Sequence, residues 1–184
     1  MTSETAEFSI PPSLLSRKIL CSAFIPRAFD PATRLRFLGL HAMATVVVIR
    51  RHIAKGYTLR SIERVGRGFR LDLLFADTSG KIRLVEVKSS RIIKEVHKIQ
   101  AALYWRPSVD EIVVSNRDID HVLTNEFVFE VAEKAEETLR LLQSDPDAAA
   151  ATFTPNSECY ICANKTCPWL RLGKAMNAGP TKGS

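Results

Sequence analysis

A chain of 184 residues, 46% hydrophobic and 25% charged, has room for one globular domain and a small appendage. Its formal charge of +6 and pI of about 9.3 favour an anionic partner and are compatible with nucleic acid. No G-x-x-x-x-G-K-[ST] or G-x-G-x-x-G loop occurs, which argues against a self-contained ATP-driven motor.

The start, 1–7, is polar and acidic, unlike a secretory leader, and the first ten residues read as disordered. Pro11-Pro12-Ser13 opens a short apolar helix over 14–20, ending near Cys21. Asp30-Pro31 is a helix-start signal. From there Leu35, Leu38, Met43, Val46, Val47, Ile49 and Ile53 recur at helical spacing, and Gly56 sits where a C-terminal stop is expected. The most apolar run, 46–49, is too short to span a bilayer, so the chain is expected to be cytoplasmic with no membrane contact.

The period then changes. Residues 57–65 and 69–76 read as strands, with Gly66 and Gly68 as turn residues between them, and 81–88 as a third. A helix over 92–105 is stopped by Pro107, and 109–115 is a fourth, buried strand. An amphipathic helix over 125–143 carries Phe127, Val131, Ala135, Leu139 and Leu142 on one face. A linker over 144–158, a cysteine cluster and a flexible tail from 175 complete the chain. This order predicts an α/β sandwich: a core over 11–143, then a linker and cluster subdomain over 144–174.

The chemistry sits on the hairpin of the second and third strands. Thr78-Ser79-Gly80 fits a three-residue loop with glycine at the position needing positive φ. If Asp77 opposes Lys81, Asp72 opposes Glu86. Side chains alternate along a strand, so Asp72, Glu86 and Lys88 project from one side and Leu71, Leu73, Val85 and Val87 from the other. Two carboxylates on neighbouring strands repel unless a cation lies between them, and oxygen donors select hard ions such as Mg²⁺ or Mn²⁺. Such an ion activates water, and a neighbouring lysine can orient the attack and offset charge on a phosphate. A solvated hairpin face is the plainer alternative for these charges.

Asp72, then Glu86-Val87-Lys88, then Gln100 and Tyr104, resembles the motif series of the RecB-type nucleases of the PD-(D/E)XK class. The resemblance implies a restriction-endonuclease-like core with Asp72, Glu86 and the Val87 carbonyl on a metal, Lys88 positioning water, and Gln100 and Tyr104 organising the site or the strand. It also implies an upstream histidine ligand, for which His41 is the candidate and His52 the competitor. His97 lies on the same helix as Gln100, where it could touch DNA, with a surface histidine as the plainer reading.

Cys159, Cys162 and Cys167 crowd one short segment, and Cys21 closes the count at four. In an intracellular chain such a set suits a [4Fe–4S] cluster or zinc better than disulfides. One N-terminal cysteine and a C-terminal triplet bracketing a RecB-like domain resemble the iron–sulfur exonucleases of CRISPR adaptation, the CRISPR-associated protein four family. That family often has Cys-Pro-Arg at the first ligand; here Ser22 follows Cys21, and Pro26-Arg27 comes later. The resemblance implies a DNA exonuclease acting on single strands or frayed ends, beside a CRISPR integrase and its small partner subunit. Two rivals stand beside it: a non-catalytic subunit that binds DNA ends, and a general DNA-repair nuclease. Arg17, Arg27, Arg34, Arg36, Arg50, Arg51 and Lys55 make the N-terminal half basic and are candidates to approach phosphates.

Overall fold

The structure is a computed structural model that describes residues 10–66, 69–156 and 158–168; of these, the side chains of 63–66, 69–71 and 160 are left aside. Of the expected disordered start over 1–10, residues 1–9 lie outside the described residues, as do the turn at Gly68 and the tail from 175, whereas Ile10 packs against the core.

In chain order the elements are α1 (Pro12–Leu20), α2 (Pro31–Ala54), β1 (Thr58–Gly66), β2 (Phe69–Ala76), β3 (Ile82–Val87), α3 (Glu95–Ala102), β4 (Glu111–Ser115), β5 (Asp120–Val122), α4 (Asn125–Ser144) and α5 (Pro146–Ala151), followed by a 3₁₀ turn at Cys159–Ile161. The five strands form one sheet in the order β1-β2-β3-β4-β5. All neighbours are antiparallel except β3 and β4, which run parallel and are joined across α3. The expected α/β class with a mixed sheet flanked by helices is therefore found.

Both faces of the sheet are covered. On one side Leu73, Phe75, Val85, Val87 and Val113 pack on Ala44 and Val48 of α2. On the other, Leu84, Ile112 and Val114 pack on Leu15 of α1, Ile99 of α3, and Val128, Val131 and Ala135 of α4. Strand alternation accounts for the division, since Leu84 and Val85, or Val113 and Val114, point opposite ways.

Local chemistry sets the helix starts. Pro31 opens α2, and the Asp30 carboxylate accepts from the Thr33 N–H at 2.9 Å. Gly56 follows its end with φ +88°, a conformation costly for other residues. Thr124 caps α4 by accepting from the Phe127 N–H at 3.2 Å.

Several elements differ from the sequence reading. Residues 144–158 are not simply a linker, because Asp145 caps α5 through the Ala148 N–H at 2.9 Å. The three-residue strand β5 was not anticipated. Helix α3 is shorter than expected and ends at Ala102, which leaves Tyr104 in the turn beyond it. The apolar residues of α2 do not form its buried face: Leu35, Leu38 and Met43 are each at least 59% exposed, and the buried positions are Ala44, Val48 and His52. Among the described residues α2 is also the one helix long and apolar enough, by length and composition, to cross a bilayer, so 46–49 understated its apolar extent.

Candidate active site and cysteine seam

The β2–β3 turn has the expected form. Gly80 has φ +88°, and the Asp77 N–H donates to the Lys81 carbonyl at 3.1 Å. The Asp77 carboxylate accepts from the N–H groups of Ser79 and Lys81 at 2.8 and 3.0 Å. This fixes the register, with Leu73 opposite Val85 and Leu74 opposite Leu84. Backbone pairing of β2 with β3 stops at Leu73 and Val85. One step further on, the Asp72 carboxylate takes the place of a backbone acceptor and receives the Val87 N–H at 2.8 Å. The strands thus part just before Asp72 and Glu86, and Asp72 is anchored by Val87.

Glu86 is 3% exposed, in step with Leu84 on the face covered by α1, α3 and α4. Its Oε1 accepts from Lys88 Nζ at 2.6 Å and from Gln100 Nε2 at 2.8 Å. Lys88 Nζ also donates to Gln100 Oε1 at 3.0 Å, and Gln100 Nε2 lies 3.2 Å from the Tyr104 hydroxyl. Gln100 and Tyr104 therefore meet as expected, although Tyr104 is past the helix end. The second oxygen of Glu86, Oε2, is buried without a hydrogen-bond partner. Burial pushes the Glu86 carboxyl up to about 7 against the attraction of Lys88, with Asp72 adding repulsion. Burial, reinforced by Glu86, also raises the Tyr104 phenol.

The two histidine candidates separate cleanly. His41 Nε2 stands 3.6 Å from Asp72 Oδ1, and the neighbouring Asp72 carboxylate raises the imidazole pKa despite partial burial. His52 is fully buried. It stacks on Phe75 at 4.8 Å between ring centroids, its Nδ1 lies 3.0 Å from the Val48 carbonyl oxygen, and burial lowers its pKa. His41 lies on the same side of α2 as Ala44, Val48 and His52, beyond the part that covers the sheet. His41→Ala is expected to weaken Mn²⁺ binding at least about tenfold, with little loss of stability. His52→Ala should instead cost about 3 kcal/mol in a denaturant titration. The reverse pattern would exchange their roles.

Sequence reading missed one supporting residue. Asn116 is fully buried, and its Nδ2 donates to the carbonyls of Ser90 and Arg91 at 3.2 and 2.8 Å, holding the segment just after Lys88. A polar side chain next to an apolar strand was the available signal. His97 has a local role: its Nδ1 accepts from the Lys94 N–H at 3.1 Å at the start of α3. Burial and the nearby Lys88, Lys94 and Arg17 charges lower it to about 3, so it is neutral. Three of the basic candidates form ion pairs instead of standing free: Arg17 with Glu158 at 3.3 Å, and Arg51 and Lys55 with Asp120 at 3.5 and 2.6 Å.

The cysteines lie along a seam where the C-terminal segment docks on residues after α1. Pro26 bridges to Cys162, the Ala163 N–H donates to the Ile25 carbonyl at 2.8 Å, and the Arg27 N–H to the Ile161 carbonyl at 3.2 Å. Three sulfurs receive backbone donors: Cys162 from Ile25 at 3.5 Å, Cys21 from Thr154 at 3.5 Å, and Cys159 from Asn156 at 3.4 Å. Such donors stabilise thiolate ligands. Burial raises the Cys159 thiol, and Cys167, Cys21 and Cys162 are all near enough to add to the effect. Lys18 carries positive charge close to Cys21 and Cys162. Glu158, 3% exposed, ties this seam to Arg17 of α1 and to Lys94 at the head of α3. Among the described residues, no group of three or more His, Cys, Asp or Glu side chains is set closely enough to hold a metal ion.

No protein-family model matches the chain, and no curated protein matches it. Among solved structures the chain is similar to a protein of unknown function from Silicibacter pomeroyi, at 17% identity and a TM-score of 0.28, covering 58% of this chain and 93% of that one.

Proposed function

We propose that this protein is a metal-dependent deoxyribonuclease acting on single-stranded or frayed DNA ends. The observation that carries the reading is the linked set Glu86–Lys88–Gln100, electrostatically coupled to Asp72, in which a buried carboxylate oxygen of Glu86 has no protein partner. A buried polar atom without a partner costs free energy, and a hard cation is a partner of the right chemistry. Asp72, Glu86 and the Val87 carbonyl would hold Mg²⁺ or Mn²⁺, with His41 adding a nitrogen. When bound, such an ion lowers the pKa of water and offsets charge on the scissile phosphate. Lys88 orients the attacking water, Gln100 holds Lys88 and Glu86 in register, and the Val87 amide fixes Asp72.

By residue type the four cysteines match a [4Fe–4S] cluster, with Ile25, Thr154 and Asn156 supplying donors to three of the sulfurs, although the described side chains are not set closely enough to hold a metal. The resemblance to the CRISPR-adaptation exonucleases extends the proposal to trimming of spacer precursors beside an integrase and its small partner subunit. The test is cleavage of end-labelled single-stranded DNA by anaerobically purified protein. Degradation in Mn²⁺ that stops in EDTA is expected. Binding of ends without cleavage, by folded and cluster-loaded protein, would move the reading to a non-catalytic end-binding subunit.

A further inference from the structure

A groove of about 430 Å³ opens beside the carboxylates, lined by Arg34, Phe37, Leu38, His41 and Ser89. Two of its lining residues adjoin the proposed site. His41 reaches Asp72, and Ser89 follows Lys88 in the chain. Its wall is mainly apolar, and its aromatic member, Phe37, lies one turn before His41 on the same side of α2 and is 47% exposed. Phe29 and Phe37 meet edge to face, with centroids 5.5 Å apart and planes at 78°, which buttresses the ring. Arg34 lies one helical turn before Phe37 and carries the one charge of fixed sign in the lining.

An exposed aromatic face, a guanidinium one turn away and a carboxylate centre at the far edge together match one unpaired nucleotide. The base supplies a flat apolar face and the phosphate a negative charge. In a duplex both faces of a base are already stacked, so Phe37 could engage only an unpaired one. Resting on the nuclease reading for its substrate class, we infer that this groove is a nucleotide subsite, in which Phe37 stacks on a base of single-stranded DNA and Arg34 meets its phosphate, next to the phosphate at Asp72 and Glu86. Phe37 and Arg34 are then specificity-determining residues that select single-stranded over double-stranded DNA.

The experiment measures binding by fluorescence anisotropy of dye-labelled oligo-dT and of a duplex, with Ca²⁺ replacing Mn²⁺ to suppress turnover. Wild type is compared with Phe37→Ala, Phe37→Trp and Arg34→Ala, each checked by melting temperature. Phe37→Ala is expected to weaken oligo-dT binding about tenfold and leave duplex binding unchanged, with Phe37→Trp restoring it. Oligonucleotides with single abasic positions should show one position that reproduces the loss in wild type and has no effect in Phe37→Ala. Arg34→Ala should weaken binding and flatten its salt dependence. Equal oligo-dT affinity in wild type and Phe37→Ala overturns the subsite. So does a change confined to oligomeric state in sedimentation, which would make the groove a protein contact. Cleavage in Mn²⁺ is scored separately: a wild type that cuts but ignores Phe37 removes the subsite alone, and one that binds through Phe37 without cutting removes the nuclease reading alone.

Discussion

Asp72→Ala is expected to reduce metal-dependent cleavage at least about a hundredfold, and Glu86→Gln by a comparable factor, while the two changes move stability in opposite directions. Asp72 is the acceptor for the Val87 N–H at the point where β2 and β3 part. Its removal leaves that donor unpaired and should cost about 1–3 kcal/mol. Asp72→Asn keeps an acceptor there and should lose activity with less destabilisation. Glu86 behaves differently because its folded carboxyl is raised from 4.5 to about 7, net of the pull from Lys88. The folded state therefore holds this proton more tightly than the unfolded chain does. Its stabilising contribution is fully present below pH 4.5 and is lost as pH rises through about 7. Glu86→Gln removes that loss, which amounts to no more than about 3 kcal/mol. Melting curves in EDTA across this range should show wild type and Glu86→Gln converging in acid, with the variant the more stable above neutrality. Parallel curves at every pH would remove the case for a strained, metal-seeking carboxyl.

Cys159→Ser is expected to abolish visible charge-transfer absorbance in anaerobically purified protein and lower the melting temperature by about 10 °C. The effect should spread beyond the thiol. Cys159 sits next to Glu158, whose carboxylate joins Arg17 to Lys94. Loosening the seam therefore loosens the head of α3, the helix carrying Gln100, and cleavage should fall with the cluster. Iron and sulfide analysis of wild type separates the metals: brown protein containing both supports [4Fe–4S], and colourless protein containing zinc supports a zinc staple. Metal-free wild type that melts at the same temperature as Cys159→Ser would sink the cysteine site altogether.

The hairpin was legible in the sequence because its geometry is decided locally. Asp77, Ser79 and Gly80 form the turn with their own side chains and backbone, and the turn sets which residues oppose each other. The choice between His41 and His52 was not legible, for a physical reason. Apolar residues ring α2, so hydropathy defined no buried side, and the helix phase is set by sheet positions such as Phe75 and Val85 that meet Ala44 and Val48. The roles of Arg17, Arg51 and Lys55 were hidden in the same way, since their carboxylate partners Glu158 and Asp120 are distant in sequence. Strand β5 is three residues long and carries no alternation to detect. Helix α5 had a readable start, since Asp145-Pro146 repeats the Asp30-Pro31 signal that opens α2, but its alanine run has no periodicity.

The bridge between Pro26 and Cys162 imposes an order on how the molecule is made. Closing so long a loop costs only modestly more entropy than closing a short one, so the delay is one of synthesis rather than energy. Residues 21–27 leave the ribosome early, yet their backbone partners at Ile161 and Cys162 are among the last described residues to be translated. The meander of β1, β2 and β3 can pair well before then, since its contacts are sequential. The carboxylate hairpin thus takes shape on a nascent chain whose Cys21 is still unpartnered, and any metal held by all four thiols must arrive after Cys167 has been translated.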